Sequence, residues 1–505
     1  MEIINHHHRS NLLLVIFHSP SPSSSLTLIN LINWTWFWII LSLISGSLQR
    51  NACPQRSLIK PCTCQEKNKG FDILCEGAEM NELKEAIGSI AKTGYGANYL
   101  KFRKNSLPTF PAFLLDGLDV THLIAHHCNI SSIEETAFFG LSDKLESIDL
   151  SENVLTKIPT KSLETLSSLV SLNLNYNNIQ VLHYGAFRGL ISLLRLSLYG
   201  NKIKTIDQNV FHGIGGNLTR INLGGNQLSS IDSTSFFNLT TLKRLQIHEN
   251  QISEINMNTF KGFAAADSLD ALNLASNDIK EIPEKSFQSL SALNSLALER
   301  NRISTIHPFA FQGIEDSLEW LTLGENLLNR IPSFSLQNLT RLRQLDLRGN
   351  NITIVEETSL KDFGGNLKFL YLKNNRIKVI EPGAFDKLIS LEWLYLDSNQ
   401  LIKLSYETFY PIIDSLKVLD LHDNPFECHC GLVWFSDWVR GEGKQVVNMP
   451  DKTECSLGSS SSINKLPIRE IQSSSLNCVN QATSGQQSNL LTVFTIGIVY
   501  LSIIF

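Results

Sequence analysis

The 505-residue sequence has little excess charge of either sign and lacks the short motifs that mark most enzymes. Its 43 basic and 48 acidic residues leave a net charge of −5, whereas nucleic-acid-binding proteins normally carry a clear basic excess. There is no H-E-x-x-H zinc motif, no G-x-S-x-G nucleophile motif and no Walker-type phosphate loop. We therefore expect no nucleic-acid partner, no cofactor or metal site and no catalytic activity.

Cysteine is almost absent from the middle of the chain, where only Cys128 occurs. Four cysteines precede this middle part and four follow it, which predicts two disulfide-bonded caps and an oxidising compartment. Zinc is the alternative for Cys428 and Cys430, but C-x-C is shorter than the usual zinc-ligand spacing, so we favour disulfides. The flanking cysteines are Cys53, Cys62, Cys64 and Cys75, then Cys428, Cys430, Cys455 and Cys478.

One eleven-residue pattern, L-x-x-L-x-L-x-x-N-x-I, recurs through that middle part. It reads LVSLNLNYNNI from Leu169, LLRLSLYGNKI from Leu193, LNSLALERNRI from Leu293 and LEWLYLDSNQL from Leu391. This is the leucine-rich repeat pattern. About 14 copies align, with the Asn position at Asn105, Cys128, Asn153, Asn177, Asn201, Asn226, Asn250, Asn277, Asn301, Asn326, Asn350, Asn375, Asn399 and Asn424.

Each repeat predicts one short strand followed by a crossover. The L-x-L core has the period of a strand, so its leucines face one way and its variable residues the other. One repeat cannot bury its leucines alone, so neighbouring repeats stack. The Asn side chain can satisfy backbone groups at the bend, and Cys is a known substitute there. We thus interpret Cys128 as filling this position; a free reactive thiol is the alternative. The predicted fold is an α/β horseshoe solenoid with a parallel sheet on its concave face.

The composition divides the chain into six segments. A helix is predicted for Asn81 to Lys92, with Asn81 as its cap, and a second for the apolar run of Leu432, Trp434, Phe435, Trp438 and Val439 over the last repeat. The segments are a signal peptide (1–47), an N-terminal cap (48–96), the repeats (97–424), a C-terminal cap (425–478), a polar spacer (479–489) and an apolar tail (490–505).

Both ends of the chain predict export to the cell surface. An apolar run from Leu26 to Ile44 before small residues is typical of a cleaved signal peptide; an uncleaved anchor is the alternative. The uncharged tail is shorter than the roughly 20 apolar residues of a membrane span. Small residues, a polar spacer and such a tail favour a lipid-anchor signal attached at Asn480 over a short transmembrane helix.

Five N-x-S/T sequons fit the same compartment. We expect those on the crossovers to be more accessible than Asn129 and Asn351, which follow the repeat-defining position directly. The predicted glycosylation sites are Asn129, Asn217, Asn238, Asn338 and Asn351.

Two groups of outward strand residues are candidate protein-binding surfaces. Arg195, Arg220 and Arg244 share one position in three consecutive repeats and suit an acidic protein surface or a sulfated glycan. A solvated charged face with Glu249 and Asp207 nearby is the simpler interpretation. The second group is aromatic, for which mutual stacking is an equally good explanation; it comprises Trp320, Phe369, Tyr371, Trp393 and Tyr395.

The caps resemble known relatives. NPFECHC, followed by Trp and two further cysteines, is similar to the C-terminal flank of extracellular leucine-rich repeat proteins, which implies Cys428–Cys455 and Cys430–Cys478. The N-terminal set resembles the matching flank, which implies Cys53–Cys64 and Cys62–Cys75. PCTCQEKNKGFDILCE and FRKNSLPTF resemble arthropod proteins labelled as non-catalytic subunits of a shrimp luciferase. The anchored architecture is similar to chaoptin and connectin, insect adhesion proteins.

These features together predict a binding protein on the outer face of the plasma membrane. Its expected partner is a protein ligand or receptor, including a second copy of itself, or a sulfated glycan. Adhesion or cell-surface recognition is the leading role. The alternatives are a secreted accessory subunit of an enzyme and an innate-immune co-receptor.

Overall fold

A computed structural model of the chain describes residues 53–67, 70–94, 96–265, 267–457, 465–476 and 478. The predicted signal peptide, the polar spacer with Asn480 and the apolar tail lie outside the described residues. The chain divides into two compact units, Met1–Cys53 and Pro54–Phe505. Of the first unit only Cys53 is described, so the strands, helices and surfaces described below belong to the second.

A 17-stranded sheet runs through the described part of the second unit. Only its first strand is antiparallel to its neighbour; every other pair is parallel. In order of pairing the strands are Thr63–Lys67, Gly70–Glu76, Gly96–Arg103, Asp119–His126, Ser147–Asp149, Ser171–Asn173, Arg195–Ser197, Arg220–Asn222, Arg244–Gln246, Ala271–Asn273, Ser295–Ala297, Trp320–Thr322, Gln344–Asp346, Phe369–Tyr371, Trp393–Tyr395, Val418–Asp420 and Val447–Asn448. The predicted fold is confirmed, and strands from both caps extend the sheet.

Shorter elements lie on the crossovers and in the caps. Two-residue strands pair in parallel: Thr109–Phe110 with Ser132–Ile133, Val181–Leu182 with Thr205–Ile206, Glu281–Ile282 with Thr305–Ile306, and Ile354–Val355 with Val379–Ile380. Phe426–Glu427, Glu454–Ser456 and Lys465–Pro467 form a three-stranded sheet. The α-helices are Met80–Ala91, Thr160–Leu163, Ser333–Leu336, Tyr406–Phe409 and Val433–Arg440. The 3₁₀-helices are Ser233–Phe236, Gly364–Asn366, Cys430–Leu432, Glu442–Gln445 and Ile468–Glu470.

The core has two layers of apolar side chains. Each repeat strand buries its central residue, as Leu196 does between the outward-facing Arg195 and Ser197. Behind these residues, phenylalanines from the crossovers stack on one another from repeat to repeat. Ring centroids are 5.9 Å apart for Phe187–Phe211 and 6.1 Å apart for Phe287–Phe311. Because each ring contacts the next, no repeat buries its apolar surface without its neighbours.

The Asn positions form a hydrogen-bonded ladder along the array. Asn177 shows the pattern: its Nδ2 donates to Leu150 O of the preceding repeat at 3.0 Å and to Leu174 O of its own at 3.1 Å. Its Oδ1 accepts from Leu155 N at 3.0 Å. The side chain therefore satisfies the backbone on both sides of the bend, as predicted.

Cys128 fills one of these positions without any disulfide. Its Sγ lies 3.3 Å from His126 O and 3.5 Å from Phe102 O, as a weak donor. Its backbone oxygen accepts from Leu107 N at 3.0 Å, the kind of N–H that an Asn side chain binds elsewhere. Cys128 is thus buried in the Asn position, as predicted. Burial also raises the pKa of its thiol, which disfavours the reactive-thiol alternative.

Both predicted cap helices are present. Met80–Ala91 buries the four residues of its apolar face, Leu83, Ala86, Ile87 and Ile90. Its cap is Glu79 rather than the predicted Asn81, because Glu82 reaches back and accepts from Glu79 N at 3.1 Å. Val433–Arg440 buries Phe435 and Val439. Trp434 Nε1 donates to Leu404 O at 3.2 Å, so this helix covers the last repeat.

Candidate protein-binding surface

The exposed face of the sheet is built from the outward residues of each strand. Because the repeat strands pair in register, the same position of successive repeats forms a column across the sheet. Arg195 pairs directly with Arg220, which pairs directly with Arg244. We refer to these three residues as the arginine ladder. The predicted juxtaposition is therefore present, with all three side chains exposed.

The two acids considered as counter-charges for the arginine ladder are engaged elsewhere. Glu249 accepts a hydrogen bond from the Tyr199 hydroxyl at 2.7 Å, and Asp207 Oδ2 lies 3.3 Å from His183 Nδ1. Within the described residues, no carboxylate forms an ion pair with any arginine of the ladder. The strands of the ladder and their neighbours line a concavity of about 440 Å³.

A pair of glycines leaves room for the Tyr199 ring, which engages Glu249, and for the neighbouring His248 ring. Tyr199 and Glu249 belong to the repeats on either side of the one that contains Gly224 and Gly225. The Tyr199 side chain extends across this middle repeat to Glu249. A Cβ at Gly225 would lie 3.1 Å from the Tyr199 ring, and a Cβ at Gly224 would lie 2.4 Å from the ring of His248. The rings therefore occupy space that only glycines leave open. The hydrogen bond to Glu249, helped by burial, raises the pKa of Tyr199 to about 12.

The five aromatic residues also come together, and we call them the aromatic cluster. Ring centroids are 6.0 Å apart for Trp320–Phe369, although Gln344 separates these residues in the strand register. They are 5.1 Å apart for Phe369–Trp393. Trp393 is 36% exposed and Trp320 and Phe369 are half-buried. Trp320 and Phe369 thus stack, Phe369 and Trp393 meet edge to face, and all three still present apolar surface to solvent.

Tyr371 and Tyr395 complete the cluster in an acidic setting. Their rings stack at 5.1 Å, and Lys373 Nζ lies 5.9 Å from the centre of the Tyr395 ring. The buried Asp346 and Asp397 lie near this pair, and burial raises the pKa of both carboxyl groups. Oδ1 of Asp397 has no hydrogen-bond partner among the described residues. Asp346 is compensated by Arg348, whose Nη1 lies 3.4 Å from Asp346 Oδ2, so Asp397 is the acid of this pair with an unpartnered oxygen among the described residues.

Three of the four disulfides that the resemblance implies are observed in the caps. The structure joins Cys62 to Cys75, Cys428 to Cys455 and Cys430 to Cys478. Cys53 and Cys64 are also disulfide-bonded. Cys428 and Cys430 are thus occupied as disulfides rather than as zinc ligands. His429 between them accepts from Gly431 N at 2.9 Å through Nδ1.

The sequons differ in accessibility from what we expected. Asn129, Asn217 and Asn338 are exposed, whereas Asn238 and Asn351 are half-buried. The expectation was wrong for Asn129, because its left-handed backbone (φ 56°) places it on the surface of the turn. Asn217 Nδ2 donates to Ile191 O at 2.7 Å, and Asn238 Nδ2 donates to Asn209 Oδ1 at 3.0 Å. Glycosylation of the five sites stays a prediction.

One group in the described part of the chain has the spacing of metal ligands, and the sequence analysis missed it. Ligand atoms of His126, His127 and Glu152 lie within 4.8 Å of one another. His127 Nε2 is 2.5 Å from Glu152 Oε2, and the Nδ1 atoms of the two histidines are 3.1 Å apart. The adjacent histidines were the available signal. The group lies at the surface, with His126 half-buried and His127 and Glu152 exposed, and we assign no metal here.

Two family descriptions match the repeats. The BspA type leucine rich repeat region matches residues 204–327 and 261–392, and the leucine rich repeat matches residues 119–179, 167–215 and 365–426. These overlapping matches run from residue 119 to residue 426, more than half of the chain. The chain is a leucine-rich repeat protein.

Curated relatives of this leucine-rich repeat protein share only part of its length. It is 38% identical over 140 residues to leucine-rich repeat-containing protein 3 of Danio rerio, covering 28% of this chain and 48% of that protein. It is 27% identical over 117 residues to P-granule-associated novel protein 1 of Caenorhabditis elegans, covering 22% and 19%. The chain spans about half and about a fifth of the lengths of these relatives.

Solved structures share the fold over most of the leucine-rich repeat chain. The mouse RP105/MD-1 complex matches with a TM-score of 0.56 and 19% identity, covering 79% of this chain and 65% of that one. The octameric complex of Latrophilin 3, Unc5D and FLRT2, in which FLRT2 supplies the repeats, matches with a TM-score of 0.52 and 25% identity, covering 64% and 94%. Among the described residues, no helix combines the length and apolarity needed to cross a membrane.

Proposed function

We propose that this leucine-rich repeat protein acts outside the cell, where it binds a protein partner in adhesion or cell-surface recognition. The aromatic cluster carries the proposal, because large rings are enriched where protein interfaces gain most of their affinity. The five residues lie in two adjoining columns of the sheet face, with ring contacts within the group of Trp320, Phe369 and Trp393 and between Tyr371 and Tyr395. The likeness to FLRT2, whose repeats are part of an octameric complex with Latrophilin 3 and Unc5D, supports the same kind of role.

The chemistry around the cluster suits a partner with basic side chains. An Arg or Lys placed over the Tyr371–Tyr395 stack would gain a cation–π contact. Its charge would also be attracted by the buried Asp397 carboxylate beneath the exposed face, whose Oδ1 has no hydrogen-bond partner in the described part of the chain. A cationic aromatic-binding segment is therefore a better complement than an acidic one at this end of the face.

The proposed location rests on the two ends of the sequence: the apolar run Leu26 to Ile44 and the tail 490–505 with Asn480 as attachment site. The test uses normally non-adherent cells that express the full chain. A phospholipase specific for phosphatidylinositol anchors is added, and surface protein and cell clustering are scored before and after. Release of the protein with loss of clusters would support a lipid-anchored homophilic adhesion molecule.

Other outcomes of this experiment favour the alternatives. Release from cells that never clustered keeps the anchor and places the partner on another cell or in the matrix, as for a recognition protein or an immune co-receptor. Protein already present in the medium of untreated cells contradicts the anchor. That outcome favours the secreted accessory subunit suggested by the likeness to the luciferase-associated proteins.

A further inference from the structure

The arginine ladder lies on a different part of the sheet face from the aromatic cluster, and its chemistry is different. Strands in a sheet lie roughly 4.8 Å apart, so the three ladder positions span roughly 10 Å across the repeats. All three side chains are exposed, and within the described residues none is neutralised by an ion pair. Lys243, next to Arg244, is exposed as well. Such a row of uncompensated cations attracts polyanions.

The residues beside the ladder are polar rather than apolar. In the adjacent column, Ser197 pairs in register with Asn222, and Asn222 with Gln246. The Asn222 Oδ1 accepts from Gly224 N at 2.9 Å, which leaves its amide N–H groups to donate. Gln246 is exposed, and its side chain has no hydrogen bond to any described residue. Amides and hydroxyls next to guanidinium groups match a ligand with both hydroxyls and anionic oxygens.

We propose that the arginine ladder and its amide column bind a sulfated glycan. Sulfate oxygens would accept from the guanidinium groups of Arg195, Arg220 and Arg244, and sugar hydroxyls would exchange hydrogen bonds with Asn222 and Gln246. An acidic protein surface fits less well, because a protein interface typically centres on buried aromatic or apolar anchors. Those anchors lie in the aromatic cluster, whose nearest member, Trp320, is three strands from Arg244 and lines the next concavity of the face with it. This ligand is additional to the protein partner of the proposed function.

The test compares heparin binding by variants of the full chain, purified from expressing cells. Wild-type protein is expected to bind immobilised heparin but not chemically desulfated heparin. Arg220→Ser should weaken binding about tenfold or more, the loss expected for a charge-assisted hydrogen bond. The triple variant Arg195→Ser, Arg220→Ser, Arg244→Ser should not bind at physiological salt. Asn222→Ala should weaken binding to a smaller extent with the charge unchanged.

Two controls distinguish binding at the arginine ladder from general electrostatic attraction of heparin to any basic surface. Arg330, Arg341 and Arg376 are exposed and lie outside the ladder, so their triple replacement by Ser makes the same change in charge and should leave binding intact. Tyr371→Ser with Trp393→Ser should also leave heparin binding intact. Equal loss in the two arginine triples, or equal binding of desulfated heparin, would overturn the proposal. Ladder-dependent binding of a polyglutamate peptide in preference to heparin would overturn it in favour of an acidic protein.

Discussion

Replacing Asn226 with Ala should lower the free energy of unfolding by about 2–4 kcal/mol, since a buried unpaired group costs about 1–3 kcal/mol and three donated bonds are lost with it. Asn226 Oδ1 accepts from Ile203 N at 3.0 Å, the only hydrogen bond that this N–H makes to a described residue. Asn226 Nδ2 donates to Leu198 O, Leu223 O and Gly224 O, each at 3.0 Å. Urea unfolding followed by circular dichroism measures the change.

The carbonyl groups that accept from Asn226 would lose a smaller part of their hydrogen bonding than Ile203 N–H. Leu198 O also accepts from Asn201 Nδ2, and Leu223 O from Asn250 Nδ2, both at 3.0 Å. Each of these carbonyls is thus shared between the Asn residues of two repeats and keeps one partner after the substitution. The predicted loss therefore rests mainly on Ile203 N–H, together with the weakened coupling between neighbouring repeats.

Two further variants show whether the hydrogen bonds of the repeated Asn position are responsible for the loss of stability. Asn329→Ala, at an exposed asparagine of a crossover, should change stability by no more than about 0.5 kcal/mol. Asn226→Cys should cost less than Asn226→Ala, because Cys128 shows that a thiol can occupy the position and donate weakly to the backbone. Equal stability of Asn226→Ala and wild type would mean that the bend relaxes to satisfy Ile203 N–H with another group, as Cys128 O satisfies Leu107 N.

The regular part of the fold could be predicted because its determinants are local and repeated. The L-x-L spacing determines which strand residues are buried, and the repeat period determines that Arg195, Arg220 and Arg244 share a column. The crossover phenylalanines stand in recurrent apolar segments of the sequence, such as AFRGL from Ala186 to Leu190. The cap helix at Met80–Ala91 was recognisable from four apolar residues at helical spacing.

What could not be predicted depends on contacts between side chains of different repeats. The repeat pattern does not show that the Tyr199 side chain extends across a glycine-containing repeat and donates a hydrogen bond to Glu249. Glu249 is therefore engaged with Tyr199 and not with the arginine ladder. Gln344 separates Trp320 from Phe369 by one strand, yet their rings stack. The exposure of Asn129 depends on a left-handed turn that sequence position alone does not reveal. The missing information is side-chain reach in the first two cases and backbone conformation in the third.

Replacing Tyr371 and Trp393 with Ser should abolish binding of the protein partner while secretion stays normal. Truncating one interface hot spot typically costs about 2 kcal/mol or more, so two losses amount to roughly a thousandfold in affinity if they add. Both side chains lie on the exposed face, so neither substitution opens the apolar core. The measurement is staining by the purified, multimerised full chain of cells that wild-type protein stains, with secretion scored in parallel.

The matched control replaces two large exposed residues outside the cluster, Tyr184 at 65% and Phe334 at 74% exposure, with Ser. This variant should stain cells as wild type does. If the rings serve only to stack on one another, the cluster variant should stain cells as wild type does but melt at a lower temperature. The lower melting temperature would come from loss of the 5.1 Å contacts of Trp393 with Phe369 and of Tyr371 with Tyr395. Unchanged staining by a folded Tyr371→Ser, Trp393→Ser protein would therefore identify the rings as cross-strand packing and move the binding surface elsewhere on the sheet.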